Sequence, residues 1–194
     1  MLSFAPSRDG QAQGEKDFSE EGAKLIFGID MIAAMSARFY VLASICRVGD
    51  PQVWQRVIDA VDRRYRRCVP TGSRLEKDVA RHFSSGSQPA LATGRLDAGS
   101  LAFQKWQAIN ARRSGVPFNC SDALSRPAIR YTLDPSLATP GEIKAERDAE
   151  KDELRAHPDN FWTFSMFEVV RGLGEDRAWI DEPCGEFFPK RDRK

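Results

Sequence analysis

The sequence predicts an all-α fold, a compact array of about six helices with at most one short pair of strands. Three observations support this prediction. Apolar residues between positions 25 and 45 cover nearly every direction around a helical axis, as in a buried central helix. Apolar residues between positions 54 and 68 recur every three or four residues, which indicates an amphipathic helix. Helix-start patterns, each a capping residue followed by proline or glutamate, recur along the chain.

The composition is typical of one globular domain. Of the 194 residues, 41% are hydrophobic and 29% are charged, so the chain can bury a substantial core. We expect a flexible N-terminal arm over residues 1–18, a single helical domain over residues 19–189 and a basic tail over residues 190–194. The formal net charge of +1 provides no overall attraction to nucleic acid or to an anionic membrane, so any such surface has to be local.

The first predicted helix starts at Ser19, a good N-cap residue, and ends near Val48, just before Gly49. Its apolar stretch is long enough to span a bilayer. However, Asp30 and Arg38 stand near the middle of that stretch, and ionisable groups are costly in lipid. We therefore favour the buried central helix of a soluble protein, and the less favoured alternative is a span inside a larger membrane assembly.

The second predicted helix follows after a very short connection. Asp50 is placed to cap this helix and Pro51 to occupy its first turn. Because the connection is so short, we expect an antiparallel hairpin with the first helix. The face expected to be buried in this hairpin carries Trp54, Val57, Val61 and Tyr65.

The middle of the chain predicts two more helices and a strand. Ser73 and Glu76 form a capping-box pattern that opens a third helix. Apolar residues over 101–109 predict a fourth helix, after a loop rich in Ser, Gly, Ala and Pro. Residues 128–133, which lie between prolines, favour one short strand.

The last third of the chain predicts a polar helix and an aromatic helix. Thr139 and Glu142 form another capping box, with proline at the first helical position, and the polar helix should end near Ala156. Asp159 is expected to cap the aromatic helix, and the glycines at 172 and 174 are expected to end it.

The four cysteines are widely spaced, and their spacing indicates neither a zinc site nor a redox motif. The first residues of the chain are polar and unlike a secretory signal. We therefore expect reduced thiols in a cytoplasmic protein, and the alternative is a disulfide-bonded periplasmic form whose leader has been removed. In the predicted hairpin, the first two cysteines lie too far apart to be bonded to each other. The cysteines are Cys46, Cys68, Cys120 and Cys184.

No pattern in the sequence identifies an active site. His82 and His157 are the only histidines, so the commonest acid–base and metal-binding side chain is scarce. Phosphate-binding, nucleophile-elbow and His-Glu-x-x-His motifs are absent from the sequence. We predict no catalytic residue, no metal ion and no cofactor. Asp30 and Arg38 are a candidate buried polar pair, which would bind a ligand or conduct a proton. The alternative, which we favour, is that each side chain pairs with another helix or reaches solvent.

Arginines of the second helix form one candidate partner-binding surface. Arg56, Arg63 and Arg67 align opposite the apolar face of that helix. Such a row is typical of contacts with nucleic-acid phosphates or with an acidic partner. Asp59 and Asp62 each precede an arginine by four residues, the orientation that favours pairing within a helix, so we favour a solvated face.

The polar helix carries a second candidate surface. Glu146, Glu150 and Glu153 fall on one side of this helix and basic residues fall on another. Like charges at four-residue spacing and thin apolar cover make such a helix weak on its own. We therefore expect an oppositely charged surface against its acidic side. That surface is either the arginine row of the second helix, in this chain or in a second copy, or a basic surface of another protein.

These observations favour a non-catalytic protein-interaction module: an adaptor, an inhibitor or immunity-type binder, or an accessory subunit of a larger assembly. A protein partner or self-association is the expected mode of action. Nucleic-acid binding through the arginine-rich face is a less favoured alternative. A further alternative is an enzyme of unfamiliar type with a pocket around Asp30 and Arg38.

Overall fold

The computed structural model describes residues 18–84, 119–158, 163–185 and 187–188. These residues form eight α-helices and a 3-10 turn (Pro135–Leu137), with no strand among them, which confirms the all-α prediction. The predicted helix over 101–109, residues 1–17 of the arm and the basic tail lie outside the described residues. The helices are α1 (Glu20–Cys46), α2 (Gln52–Cys68), α3 (Arg74–Ser84), α4 (Cys120–Ala123), α5 (Pro127–Leu133), α6 (Pro140–Ala156), α7 (Phe164–Leu173) and α8 (Arg177–Asp181).

Helix α1 starts as predicted and ends slightly earlier than predicted. The Ser19 hydroxyl accepts a hydrogen bond from the Gly22 N–H at 3.1 Å. The helix ends at Cys46 because Arg47 adopts the left-handed conformation, with φ of 52°. Gly49 follows with φ of 69°, and a side chain there would also collide with the Leu133 carbonyl, so this turn requires glycine.

Helix α1 is the central element of the core. It contacts α2, α3, α4, α5 and α7, and Ile29, Met35 and Phe39 are almost completely buried. Of the described helices, α1 alone is long and apolar enough to cross a membrane by length and composition. Within the protein, 61% of its most apolar stretch is buried. A core helix that is surrounded by other helices needs the same apolar composition as a membrane-spanning helix.

Helices α1 and α2 form the predicted antiparallel hairpin. The Asp50 carboxylate accepts a hydrogen bond from the Gln52 N–H at 2.9 Å and so caps α2. Near the connection, the Phe39 and Trp54 rings stack with their centroids 4.6 Å apart. The far ends also stay together, since the start of α1 and the end of α2 border the same cavity. Trp54, Val57 and Val61 are buried, and Tyr65 is partly buried.

The strand predicted over residues 128–133 is wrong, because these residues form helix α5. Pro127 occupies the first helical position. A residue at this position donates no hydrogen bond within the helix, so the missing N–H of proline costs nothing there. The Thr132 hydroxyl donates a hydrogen bond to the Ala128 carbonyl, four residues earlier, at 2.7 Å. Ala128 and Thr132 are buried as one helical pair, and Ile129 and Leu133 as another.

The aromatic helix α7 is capped by Thr163 and not by Asp159. The Thr163 hydroxyl accepts a hydrogen bond from the Met166 N–H at 3.3 Å. Residues 159–162 lie outside the described residues. Helix α7 ends at Leu173, as the glycines predicted, and the short helix α8, which the sequence did not predict, follows it with Trp179 buried.

All four cysteines are disulfide-bonded, so the prediction of reduced thiols is wrong. Cys46, at the end of α1, is bonded to Cys120, at the start of α4, with the Cα atoms 5.6 Å apart. Cys68, at the end of α2, is bonded to Cys184, beyond α8, with the Cα atoms 5.2 Å apart. These partners are 74 and 116 positions apart, so the fold and not the local spacing brings them together. Cys46 and Cys68 are not bonded to each other, as expected.

A buried arginine of α2 holds the C-terminal segment against the core. Arg64 is 0% exposed, and its Nε donates a hydrogen bond to the Phe187 carbonyl at 2.7 Å. Its Nη1 donates to the carbonyls of Trp179, at 2.5 Å, and Glu182, at 3.2 Å. The guanidinium also lies 5.4 Å from the Trp179 ring centroid. These acceptors replace water around the buried charge, and they require the C-terminal segment to lie against α2.

Replacing Arg64 by Met should lower the free energy of unfolding by roughly 2–4 kcal/mol, because the charge-assisted hydrogen bonds to three backbone carbonyls of the C-terminal segment are lost. Arg66→Met is the matched control, since Arg66 lies on the same helix with 77% of its side chain exposed and forms a surface ion pair with Asp62. The control should cost about 0.5 kcal/mol or less. Denaturant unfolding measures both variants, and equal losses would show that Arg64 is not an anchor.

Candidate functional site

Helix α6 has almost no apolar anchor. Of its residues, only Ile143 is buried. Its start is fixed by a reciprocal capping box between Thr139 and Glu142, as predicted. Hydrogen bonds from Thr139, supported by the charge of Arg130, hold the pKa of the Glu142 carboxyl below its ordinary value. The helix therefore depends on polar contacts for its position.

The acidic side of α6 faces other parts of the protein. Glu146 pairs with Arg126 at 3.4 Å, just before α5. Glu150 accepts hydrogen bonds from the Ser165 N–H at 3.1 Å and the Ser165 hydroxyl at 2.7 Å, in the first turn of α7. Glu142 pairs with an arginine of α5 at 2.7 Å. The opposite charge expected against this side therefore comes, in part, from the segment around α5.

A cavity of about 280 Å³ opens between α6 and α7. The buried aromatic residue of its lining is Phe164, which is 1% exposed. The Phe164 ring meets the edge of the Tyr131 ring with centroids 5.6 Å apart, and the Arg147 guanidinium lies 5.6 Å from the Phe164 centroid. The charged, polar and aromatic lining residues are Arg126, Glu146, Glu150, Glu153, Thr163 and Phe164.

The lining of this cavity carries more negative than positive charge, because three glutamates face one arginine. Glu146 and Glu150 already have partners in the protein. Glu153 is exposed, and its carboxylate has no hydrogen-bond or ion-pair partner among the described residues. The cavity therefore combines an accessible carboxylate with a buried aromatic ring.

In the described parts of the chain, no ion pair or hydrogen bond joins the arginine row of α2 to α6. Arg56 pairs with Asp50 at 3.5 Å, beside the α1–α2 connection. Arg67 donates a hydrogen bond to the Ile180 carbonyl at 2.9 Å, so it supports the C-terminal segment. Arg63 is exposed. Pairing between this row and the acidic side of a second copy stays a prediction.

The structure gives Asp30 and Arg38 separate surroundings. Asp30 Oδ2 lies 2.7 Å from His82 Nε2 on α3, a partner that the sequence did not indicate. Arg38 Nε is buried without a hydrogen-bond partner among the described residues. Burial lowers the pKa of Arg38, and the nearby charge of Arg126 lowers it further. Asp30 therefore pairs with α3, and among the described residues no hydrogen bond or ion pair joins it to Arg38.

Comparison with known protein families, with curated proteins and with solved structures finds no match for this chain. The fold and the site together define an all-α, disulfide-bonded protein with an acidic cavity at one helix. Its function therefore has to be inferred from the geometry of its own residues.

Burial raises the pKa of the Asp30 carboxyl above its ordinary value of 3.8, although the hydrogen bond and charge of His82 act in the opposite direction. A carboxyl with a raised pKa binds its proton more tightly in the folded state. This group therefore favours folding below pH 3.8, and that contribution is lost as the pH rises through the raised pKa. We expect the Asp30 ¹³C carboxyl resonance to titrate with a midpoint above 3.8.

The unfolding free energy of the wild type, measured relative to Asp30→Asn, should fall over the same pH range. The Asn variant also assigns the resonance, because its signal disappears. A midpoint at or below 3.8, or a relative stability that rises with pH, would show that burial does not dominate at Asp30.

Proposed function

We propose that this protein is a non-catalytic protein-interaction module whose cavity between α6 and α7 receives a basic side chain of a protein partner. The observation that supports this proposal is the lining, in which glutamates surround the buried Phe164 ring. A lysine or arginine gains charge-assisted hydrogen bonds to such carboxylates. The Phe164 ring is 1% exposed and already lies under the Arg147 guanidinium, so the exposed Glu153 carboxylate is the group that meets the partner's cation.

Helix α6 is suited to binding because it is held in place before a partner arrives. Its first turn is closed by the capping box, and its acidic side is bonded to Arg126 and Ser165. The remaining surface of the helix is exposed along most of its length. A surface that is already ordered loses less conformational entropy on binding.

The chemistry of the cavity favours a basic side chain over other ligands. Within the described ranges, no three His, Cys, Asp or Glu side chains are placed to hold a metal ion. The excess negative charge repels the phosphates of nucleic acid. Arg56 and Arg67, which would attract phosphates on α2, contact Asp50 and the C-terminal segment instead.

We also propose that the protein works in an oxidising compartment such as the periplasm, and not in the cytoplasm. Two disulfides support this proposal, because cytoplasmic thiols are normally kept reduced. In this proposal the protein is soluble and α1 serves as a core helix, consistent with its contacts to five other helices.

The test of the cavity reverses one negative charge in the lining and, as a control, one negative charge next to it but outside the lining. Glu153→Lys reverses an exposed lining residue, and Asp152→Lys makes the same change one position earlier, outside the lining. Glu146 and Glu150 are left unchanged because they contact Arg126 and Ser165. In an NMR titration with N-acetyl-arginine amide, the cavity resonances should shift saturably. Glu153→Lys should weaken this binding about tenfold, and Asp152→Lys should change it little.

The matched ligand control is N-acetyl-citrulline amide, which keeps the shape of the arginine ligand and lacks its charge. It should shift the cavity resonances little, and binding of the arginine ligand should weaken as salt is added. Equal titrations by the two ligands, or equal effects of the two variants, would exclude this cavity as a cation site. Salt-sensitive binding of duplex DNA that is lost in Arg63→Glu would favour the nucleic-acid alternative.

A further inference from the structure

The C-terminal strap, which we define as residues 182–185 and 187–188, is attached to α2 at two places. Arg64 donates hydrogen bonds to the carbonyls of Glu182 and Phe187, and Cys68 is bonded to Cys184 between them. The strap also contacts α1, where the Phe188 ring lies so close that a side chain at position 28, a glycine, would overlap it. The strap therefore covers part of the central helix.

The strap disulfide is more accessible than the other disulfide. Cys184 is exposed and Cys68 is partly exposed, whereas Cys46 and Cys120 are both only partly exposed. Cys68 and Cys184 also border a cavity of about 320 Å³ beside the strap. Thiol–disulfide exchange requires a thiolate to reach one of the two sulfur atoms. Because Cys184 is the one exposed cysteine of the four, we expect a reductant to attack the strap disulfide first.

The cavity beside the strap has mainly apolar walls. They are formed by α1, by the end of α2, by the start of α3 and by the two aromatic rings of the strap itself. Displacement of the strap would widen this cavity and uncover the apolar surface of α1 around position 28. The apolar wall residues are Leu25, Val69, Leu75, Phe187 and Phe188.

We propose that the Cys68–Cys184 disulfide is a reducible latch, whose opening frees the strap and exposes the apolar cavity while the helical core stays folded. This inference does not depend on the proposed function. The core keeps its packing because α1, α2 and α7 contact one another directly. The Cys46–Cys120 disulfide, at the opposite end of α1 from the strap, stays closed. The described residues of the strap are themselves exposed or only partly buried. Without the disulfide, the strap therefore opens locally and Arg64 exchanges its carbonyl acceptors for water, without global unfolding.

The reductant in this step is a dithiol. One of its thiolates attacks Cys184 Sγ, the Cys68–Cys184 bond breaks, and Cys68 leaves as a thiolate that takes up a proton. The second thiol of the reductant, after losing its proton, attacks the mixed disulfide and releases Cys184, which is protonated in turn. The protein gains two electrons and two protons, and the dithiol is oxidised to its own disulfide.

The test titrates the intact protein with dithiothreitol and follows each cysteine by alkylation and mass spectrometry. Cys68 and Cys184 should be labelled at a dithiothreitol concentration about tenfold lower than Cys46 and Cys120. At that concentration, binding of the hydrophobic dye anilinonaphthalene sulfonate should rise, while the far-ultraviolet helical signal is unchanged. Cys68→Ser/Cys184→Ser should bind the dye without any reductant.

The matched control is Cys46→Ser/Cys120→Ser, which keeps the latch and should bind the dye only after dithiothreitol is added. Labelling of Cys46 and Cys120 first, or of all four cysteines together with loss of helical signal, would overturn the proposal. Failure of the Cys68→Ser/Cys184→Ser variant to fold would overturn it as well, because the disulfide would then be required by the core and would not act as a latch.

Discussion

A buried guanidinium has to be surrounded by hydrogen-bond acceptors, and Arg64 obtains its acceptors from the C-terminal segment of the chain. Because these acceptors lie on α8 and the strap, both elements have to pack against α2. Burial of Trp179, the Cys68–Cys184 disulfide and the contact of Phe188 with α1 all belong to that closure. The last described residues therefore pack against the core, although the sequence suggests little more than an aromatic segment before a basic tail.

The features that the sequence predicts well are those that local chemistry decides. Ser19, Asp50 and Thr139 cap their helices because their side-chain oxygens reach backbone N–H groups two or three residues ahead. The prediction of a strand over residues 128–133 is wrong because a short apolar run fits both a strand and a helix. Arg64 carries a readable signal, since it follows Val61 by three residues and so falls on the apolar side of α2. Its acceptors are more than a hundred positions away, and nothing local indicates them.

Only the charge pattern of the candidate site can be predicted from the sequence, because that pattern is local and the contacts of each carboxylate are not. The charge pattern of α6 indicates an acidic side that needs opposite charge, and Arg126 supplies some of it. Helical spacing alone does not show which carboxylates are used inside the protein. The fold commits Glu146 and Glu150 to internal contacts and leaves Glu153 at the edge of a cavity. Cysteine pairing is non-local in the same way, so the spacing of cysteines in the sequence led to the wrong prediction of free thiols.

The most direct test of the closure of the C-terminal segment on α2 is a disulfide map of the native protein. Proteolysis under non-reducing conditions, followed by mass spectrometry, identifies which cysteine peptides are linked. Closure predicts one linked pair that contains Cys68 and Cys184, a second that contains Cys46 and Cys120, and no thiol open to alkylation. A Cys184 recovered as a free thiol, or linked to any cysteine other than Cys68, would contradict the closure of this segment on α2.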